Sequence, residues 1–194
     1  MRVIILRHGE TLANATNIIE GHKPGKLSKK GIEQAKKVAL RLKNERIDLI
    51  LCSDLTRALE TAKQIRSHHL QTTFLITKKL RETYFGRWEG KSREYAGFKD
   101  GYKPPLPADA ETREESYNRA KKFLEETSQK FLNKTVLIVT HNAFYKSIVA
   151  VITGKTHEEI GNMETYHNTG LSIFTLSDNK SWYNILHNCR KHLD

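Results

Sequence analysis

Residues 3–11 read Val3-Ile4-Ile5-Leu6-Arg7-His8-Gly9-Glu10-Thr11, four apolar residues followed by a cation, an imidazole and a glycine. An unbroken apolar run of this kind fits a strand buried on both faces of a parallel sheet, and the glycine marks the turn that ends it. In open α/β sheets, ligands bind at the carboxyl ends of the strands. Arg7 and His8 stand at such an end. An imidazole there can attack a phosphoryl group, and a guanidinium can hold its oxygens.

Further apolar runs recur downstream, at Leu49–Leu51, Phe74–Ile76 and Val136–Val139, and each is read as a buried strand. Helical patterns lie between them. Ser28 suits the N-cap of a helix running to Lys43, with Ile32, Ala35, Val38, Ala39 and Leu42 on one face. Leu55, Leu59, Ala62 and Ile65 mark a second helix over Leu55–His68. Tyr117, Ala120, Leu124, Thr127 and Phe131 mark a third over Thr112–Phe131, and Phe144, Ile148, Val149 and Ile152 mark a fourth after His141. Strands at Leu171–Leu176 and Trp182–Leu186 complete the pattern. Strand and helix alternate, which predicts a three-layer α/β/α sandwich with a mostly parallel central sheet. Residues 1–194 read as one domain, with a Pro- and Gly-containing excursion at 91–113 suited to a lid or specificity segment.

The balance of 33 Lys+Arg against 22 Asp+Glu gives a formal charge of +11, which attracts anionic partners. The cations are scattered, without a basic tail or a basic-aromatic repeat, so a nucleic-acid partner is not expected. No segment has the length of a membrane span, and the first apolar run is interrupted at Arg7, so neither a membrane partner nor a signal peptide is expected. Cys52 and Cys189 form neither a disulfide framework nor a metal motif. The expectation is a cytoplasmic protein without a cofactor. Its oligomeric state is not legible.

Set on this scaffold, the polar residues converge. Arg7 and His8 follow the first strand, Arg57 opens the helix after Cys52, Glu82 follows the Phe74–Ile76 strand, and His141 follows Val136–Val139. Two arginines, two histidines and a carboxylate therefore meet at one sheet edge, beside helix N-termini that favour anions.

These residues bring the chain close to a known family. Arg7-His8-Gly9 with Asn14, the block Gly21…Leu27-Ser28…Gly31, and Ser53-Asp54-Leu55…Arg57-Ala58 resemble motifs of the histidine phosphatase (phosphoglycerate mutase-like) superfamily. So do Leu80-Arg81-Glu82…Phe85-Gly86…Trp88-Glu89-Gly90 and Val139-Thr140-His141. The order is the family's, and the match spans nearly the whole chain. The resemblance implies that His8 becomes a phosphohistidine, that Arg7, Arg57 and His141 hold the phosphoryl oxygens, and that Asn14 and the backbone N–H of Asn142 complete the pocket. Gly21 and His22 of the first loop are candidate substrate contacts. Glu82 would protonate the leaving oxygen and then take a proton from water, a role that needs its protonated form populated near neutrality. No metal is called for, since two arginines supply the positive charge.

The chain departs from the family twice. Asn142-Ala143 stands where many members carry glycines, and Glu20 stands where many carry a neutral polar residue. A carboxylate facing the phosphate would repel it, so Glu20 is expected to turn outward or meet another part of the substrate. Family mutases resemble one another in an Arg-His pair after the acid, whereas Thr83-Tyr84 follows Glu82 here. The favoured reading is a metal-independent phosphatase acting on a small phosphorylated metabolite. A mutase-type phosphoryl transferase and a non-catalytic phosphoryl-binding module are the alternatives.

Overall fold

The computed structural model describes residues 1–100 and 102–194. A six-stranded sheet in the order β3-β2-β4-β1-β5-β6 forms its centre. The strands are β1 (Arg2–Arg7), β2 (Leu49–Ser53), β3 (Thr73–Thr77), β4 (Thr135–Thr140), β5 (Leu171–Leu176) and β6 (Trp182–Cys189). The first four run parallel to one another, β5 pairs antiparallel with β1, and β6 pairs antiparallel with β5. The helices are α1 (Leu12–Ala15), α2 (Lys29–Leu42), α3 (Thr56–Arg66), α4 (Arg113–Lys130) and α5 (Asn142–Ile152).

Successive side chains of a strand point to opposite faces, so an all-apolar strand feeds two cores. Val3, Ile5, Val136 and Ile138 pack with Phe123 of α4 and with Phe144 and Ile148 of α5. Ile4, Leu6, Leu137 and Val139 pack with Val38 and Leu42 of α2 and with Ala58 and Ile65 of α3. The molecule is thus the expected α/β/α sandwich, with a mostly parallel sheet. Local chemistry sets the helix starts: Ser28 Oγ accepts from Gly31 N at 3.0 Å, and Thr112 and Glu115 form a reciprocal capping box.

Three expectations need correction. Ile32 lies on the outer side of α2, 41% exposed, while Gly31 and Gln34 take the buried face. Phe74–Ile76 is a strand, but it forms the sheet edge, and Leu75 and Ile76 are exposed instead of covered on both faces. The last strand runs on to Cys189 rather than stopping at Leu186. Among the described residues, no helix is long and apolar enough to cross a membrane.

Register positions the site. Leu6 pairs with Val139, and Val139 pairs with Cys52, so β1, β4 and β2 end at one level. The loop after β1 then presses on the start of α2. A Cβ on Gly9 would lie 2.5 Å from the Gly31 carbonyl oxygen, so only glycine allows this approach.

Candidate active site

His8 N–H donates to the Thr140 carbonyl at 3.0 Å, fixing the residue after β1 to the end of β4. Its ring Nδ1 lies 2.7 Å from the Gly9 carbonyl oxygen. A carbonyl only accepts, so this contact assigns the proton to Nδ1 and leaves a lone pair on Nε2. Arg57 Nε donates to that Nε2 at 3.2 Å. Burial, with Arg57 and Arg7 adding to it, holds the imidazole well below its ordinary pKa. His8 is a buried, neutral imidazole in one tautomer, the form in which it is nucleophilic.

His141, the N-cap of α5, stacks obliquely on His8 with ring centroids 5.1 Å apart. Its Nε2 lies 2.8 Å from Ser53 Oγ, and that hydroxyl oxygen already accepts from Leu55 N at 3.3 Å. With the Ser53 proton donated to Nε2, Nδ1–H is a spare donor, and it is buried without a partner. Burial, then Arg57 and His8, lower the His141 pKa as well.

Arg57 is held on three sides. Besides His8, its guanidinium donates to the carbonyls of Gly21 at 2.7 Å and Lys23 at 3.1 Å. Gly21 sits at φ +54°, lines the cavity beside His8 and presents its carbonyl to Arg57. Arg7 donates to the Tyr166 carbonyl at 2.6 Å, and its Nε is buried with no partner. Burial pushes its pKa down to about 10.

The Glu82 carboxylate accepts from Thr83 N (2.9 Å), Phe144 N (3.0 Å) and Ala143 N (3.2 Å). Two of these amides belong to the first turn of α5, so the departure at Asn142-Ala143 leaves the backbone donors intact. Asn142 accepts from Tyr166 N through Oδ1 at 3.0 Å. Asn14 closes a capping box with Thr11 and accepts from Asn168 Nδ2 at 3.1 Å. His22 does not face the cavity: its ring Nε2 lies 2.7 Å from the Glu82 carbonyl oxygen, buttressing the acid-bearing loop from behind.

Glu20 does not turn outward, the first of the two placements expected for it. It points inward, 9% exposed. Its Oε2 accepts from Thr11 Oγ1 at 2.8 Å and Asn14 Nδ2 at 3.3 Å, and lies 3.7 Å from Arg57 Nε. Its Oε1 is buried without a partner. Burial raises its pKa, against the pull of Arg57. Gly25 makes room, since a Cβ there would lie 1.9 Å from that oxygen. Sequence reasoning gave no role to Thr61, whose hydroxyl accepts from Gly9 N at 3.0 Å, and missed Asn168, which donates to the His8 carbonyl at 3.1 Å.

Arg7, His8, Arg57, Glu82 and Asn142 line a cavity of about 120 Å³. Arg7, Asn14 and Asn142 also line an adjoining basin of about 410 Å³. The inner cavity therefore offers a neutral nucleophile, guanidinium donors and two carboxyl groups around one small volume, while His141 packs against His8 without lining it. The outer basin offers space for the rest of a ligand.

The chain belongs to the histidine phosphatase superfamily (branch 1), which it matches over residues 3–189. The adenosylcobalamin/alpha-ribazole phosphatase of Escherichia coli (strain K12) is 30% identical over 167 residues, covering 81% of this chain and 82% of that one. The metal-independent phosphoserine phosphatase of Arabidopsis thaliana is 28% identical over 200 residues, covering 95% and 82%. The crystal structure of a phosphoserine phosphatase from Entamoeba histolytica, in complex with 3-phosphoglyceric acid, has a TM-score of 0.85 at 27% identity, covering 100% of this chain and 99% of that one.

Proposed function

We propose that this protein is a metal-independent phosphatase that hydrolyses phosphomonoesters of small metabolites through a phosphohistidine on His8. One observation carries the reading: the single-tautomer His8, with its unprotonated Nε2 accepting from the Arg57 guanidinium. Membership of the superfamily and the phosphatase relatives support it.

In the first step, the Nε2 lone pair forms a bond to phosphorus while the ester P–O bond breaks. The leaving oxygen takes its proton from Glu82. Arg7, Arg57 and the Nδ1–H of His141 hold the remaining phosphoryl oxygens, with Asn14 at the cavity wall, and stabilise the spreading charge. In the second step, water gives a proton to Glu82 as its oxygen bonds to phosphorus. The P–N bond then breaks, phosphate leaves and His8 is restored. The open basin beside the clamp admits water, which supports hydrolysis over retention of the phosphoryl group for transfer. The fold acts as one catalytic unit, and the 91–113 excursion, which contributes Arg93, Phe98, Lys103 and Arg113 to the basin, acts as its specificity segment.

The test is hydrolysis of an aryl phosphate with a chelator present, comparing the wild type with His8→Ala. Chelator-indifferent turnover that falls roughly 10³-fold or more in the variant supports the reading. No turnover across a broad phosphomonoester panel contradicts it and favours a binding module.

A further inference from the structure

The last strand runs on past Leu186, and the added residues carry an irregularity. Leu171 pairs with Cys189 and Ile173 with Leu186, so Ser172 alone faces both His187 and Asn188. The extra residue makes a bulge in β6, and a bulge re-aims the side chains it carries. Asn188 sits there at φ +40°, a left-handed conformation that few side chains other than Asn and Asp adopt. Its backbone N–H donates to Ser172 Oγ at 2.9 Å.

The re-aimed amide reaches the chain just before β5. Residues 164–167 form neither helix nor strand, so other groups must hold them. Asn188 Nδ2 donates to the Thr165 carbonyl at 3.2 Å, and its Oδ1 accepts from His167 N at 3.1 Å. Gly170 leaves the space, since a Cβ there would lie 2.8 Å from that Oδ1. Asn188 therefore brackets Tyr166 from both sides. As along an extended strand, the polar groups of the bracketed residue face the opposite way. Tyr166 N–H donates to Asn142 Oδ1 at 3.0 Å, and its carbonyl accepts from Arg7 at 2.6 Å. The Tyr166 ring stacks on Tyr145 with centroids 4.0 Å apart, which fixes where the residue stands. The bracketing hydrogen bonds fix which way its N–H and carbonyl point.

Glu164 holds the Asn188 amide in turn. Its Oε2 accepts from Nδ2 at 3.0 Å, while its Oε1 lies 2.7 Å from His187 Nε2. The arrangement calls for an amide, because a carboxylate has no donor for the Thr165 carbonyl or for Glu164. We propose that Asn188, on the edge strand, is a positioning residue of the reaction: by bracketing Tyr166 it sets the direction of the Arg7 guanidinium and of the Asn142 side chain at the phosphoryl site. The inference rests on the proposed hydrolysis, in which Arg7 holds a phosphoryl oxygen. Arg7 Nε is a buried donor without a partner, so a turn of the Tyr166 carbonyl misaims it.

The experiment compares the wild type with Asn188→Gly and Asn188→Asp on an aryl phosphate. It also follows the Nε–H resonances of Arg7 and Arg57 by nitrogen–proton NMR, with Arg7→Gln to assign the former. Glycine accepts the left-handed backbone and removes only the amide, whereas aspartate keeps the acceptor for His167 N. Circular dichroism checks both folds, and if the glycine variant does not fold the aspartate variant carries the same test. In Asn188→Gly, kcat is expected to fall about tenfold, with a smaller fall in Asn188→Asp. The Arg7 resonance should shift or broaden in the same order while that of Arg57 stays. An unchanged kcat, a fall in kcat with the Arg7 resonance unmoved, or a moved resonance without loss of kcat overturns the proposal. If the wild type hydrolyses no phosphomonoester, the hydrolase reading fails and the positioning role is read on calorimetric binding of inorganic phosphate. Weaker binding in Asn188→Gly, with the Arg7 resonance moved, keeps the proposal, and unchanged binding overturns it.

Discussion

The inner cavity and the outer basin share a wall yet are built on opposite electrostatic plans. Inside, each buried arginine has a carboxylate within Coulombic reach, and Arg57 is also tied to two backbone carbonyls and His8. Outside, cations gather with only carbonyl contacts. The balanced region keeps its geometry in the absence of ligand, as a reaction centre must if it is not to reorganise during the reaction. The unbalanced region stores attraction for whatever anion arrives. On the proposed function, the inner region orients the reacting groups and the outer one meets the rest of the substrate.

The largest expected effect breaks the inner plan. Arg57→Lys loses the donor to His8 Nε2 and the fork shared with Gly21 and Lys23, and an ammonium cannot restore both. A fall in kcat of roughly 10²–10³-fold on an aryl phosphate is expected. A change of only a few-fold would mean that Arg57 serves packing alone.

Glu20 gives the next effect, with a sign of its own. Its carboxylate occupies donors of Thr11 and Asn14 beside the phosphate clamp, so it competes with an incoming dianion. Glu20→Gln should tighten inhibition by inorganic phosphate about tenfold at pH 7.5, and the gain should shrink as pH falls and the wild-type carboxyl protonates. Phosphate inhibition constants measured at several pH values check this, and an unchanged constant at every pH would remove Glu20 from the clamp.

His22→Ala withdraws the support behind the Glu82 carbonyl without touching the cavity. A loss of only a few-fold to tenfold in kcat is expected, larger for an alkyl phosphate than for an aryl phosphate, whose leaving group needs less help from the acid. Equal losses on both substrates would separate His22 from the acid's function.

Stability should also follow pH. His8 and His141 are depressed well below their ordinary value of 6.5, so in acid the unfolded chain binds protons that the folded one does not. Their contribution to stability is full above about pH 6.5 and declines as pH falls below it. Glu20, raised from 4.5, works the other way, since the folded state takes up its proton first and stability is lost as pH rises through that range. Urea unfolding between pH 5 and 7.5 should therefore show a steeper acid loss in Glu20→Gln than in the wild type. Parallel curves would contradict it.

Much of this molecule could be read from the chain. Continuous apolar runs encode strands buried on both sides, and the residues after β1, β2 and β4 meet because those strands end in register. Where the reading failed, the reason is physical. Phe74–Ile76 is too short a run to tell a central strand from an edge one. Lys146 sits within the apolar pattern of α5, and a hydrophobic stripe does not reveal that one position opens onto a basin. Glu20 was judged by its repulsion of phosphate, but in the unliganded site the pull of two arginines and two short side-chain donors turns it inward. His22 lies in the expected loop, yet its ring meets the Glu82 carbonyl, a contact across 60 residues that no local pattern encodes.

The account rests on His8 as the group that becomes covalently phosphorylated. Mixing the protein with an excess of aryl phosphate, quenching in alkali within milliseconds and mapping peptides by mass spectrometry tests this directly. A phosphoryl group on the peptide bearing His8, lost on mild acid treatment and absent from His8→Ala, is the predicted result. Turnover that persists in His8→Ala, or a phosphoryl group trapped on another residue, would contradict it.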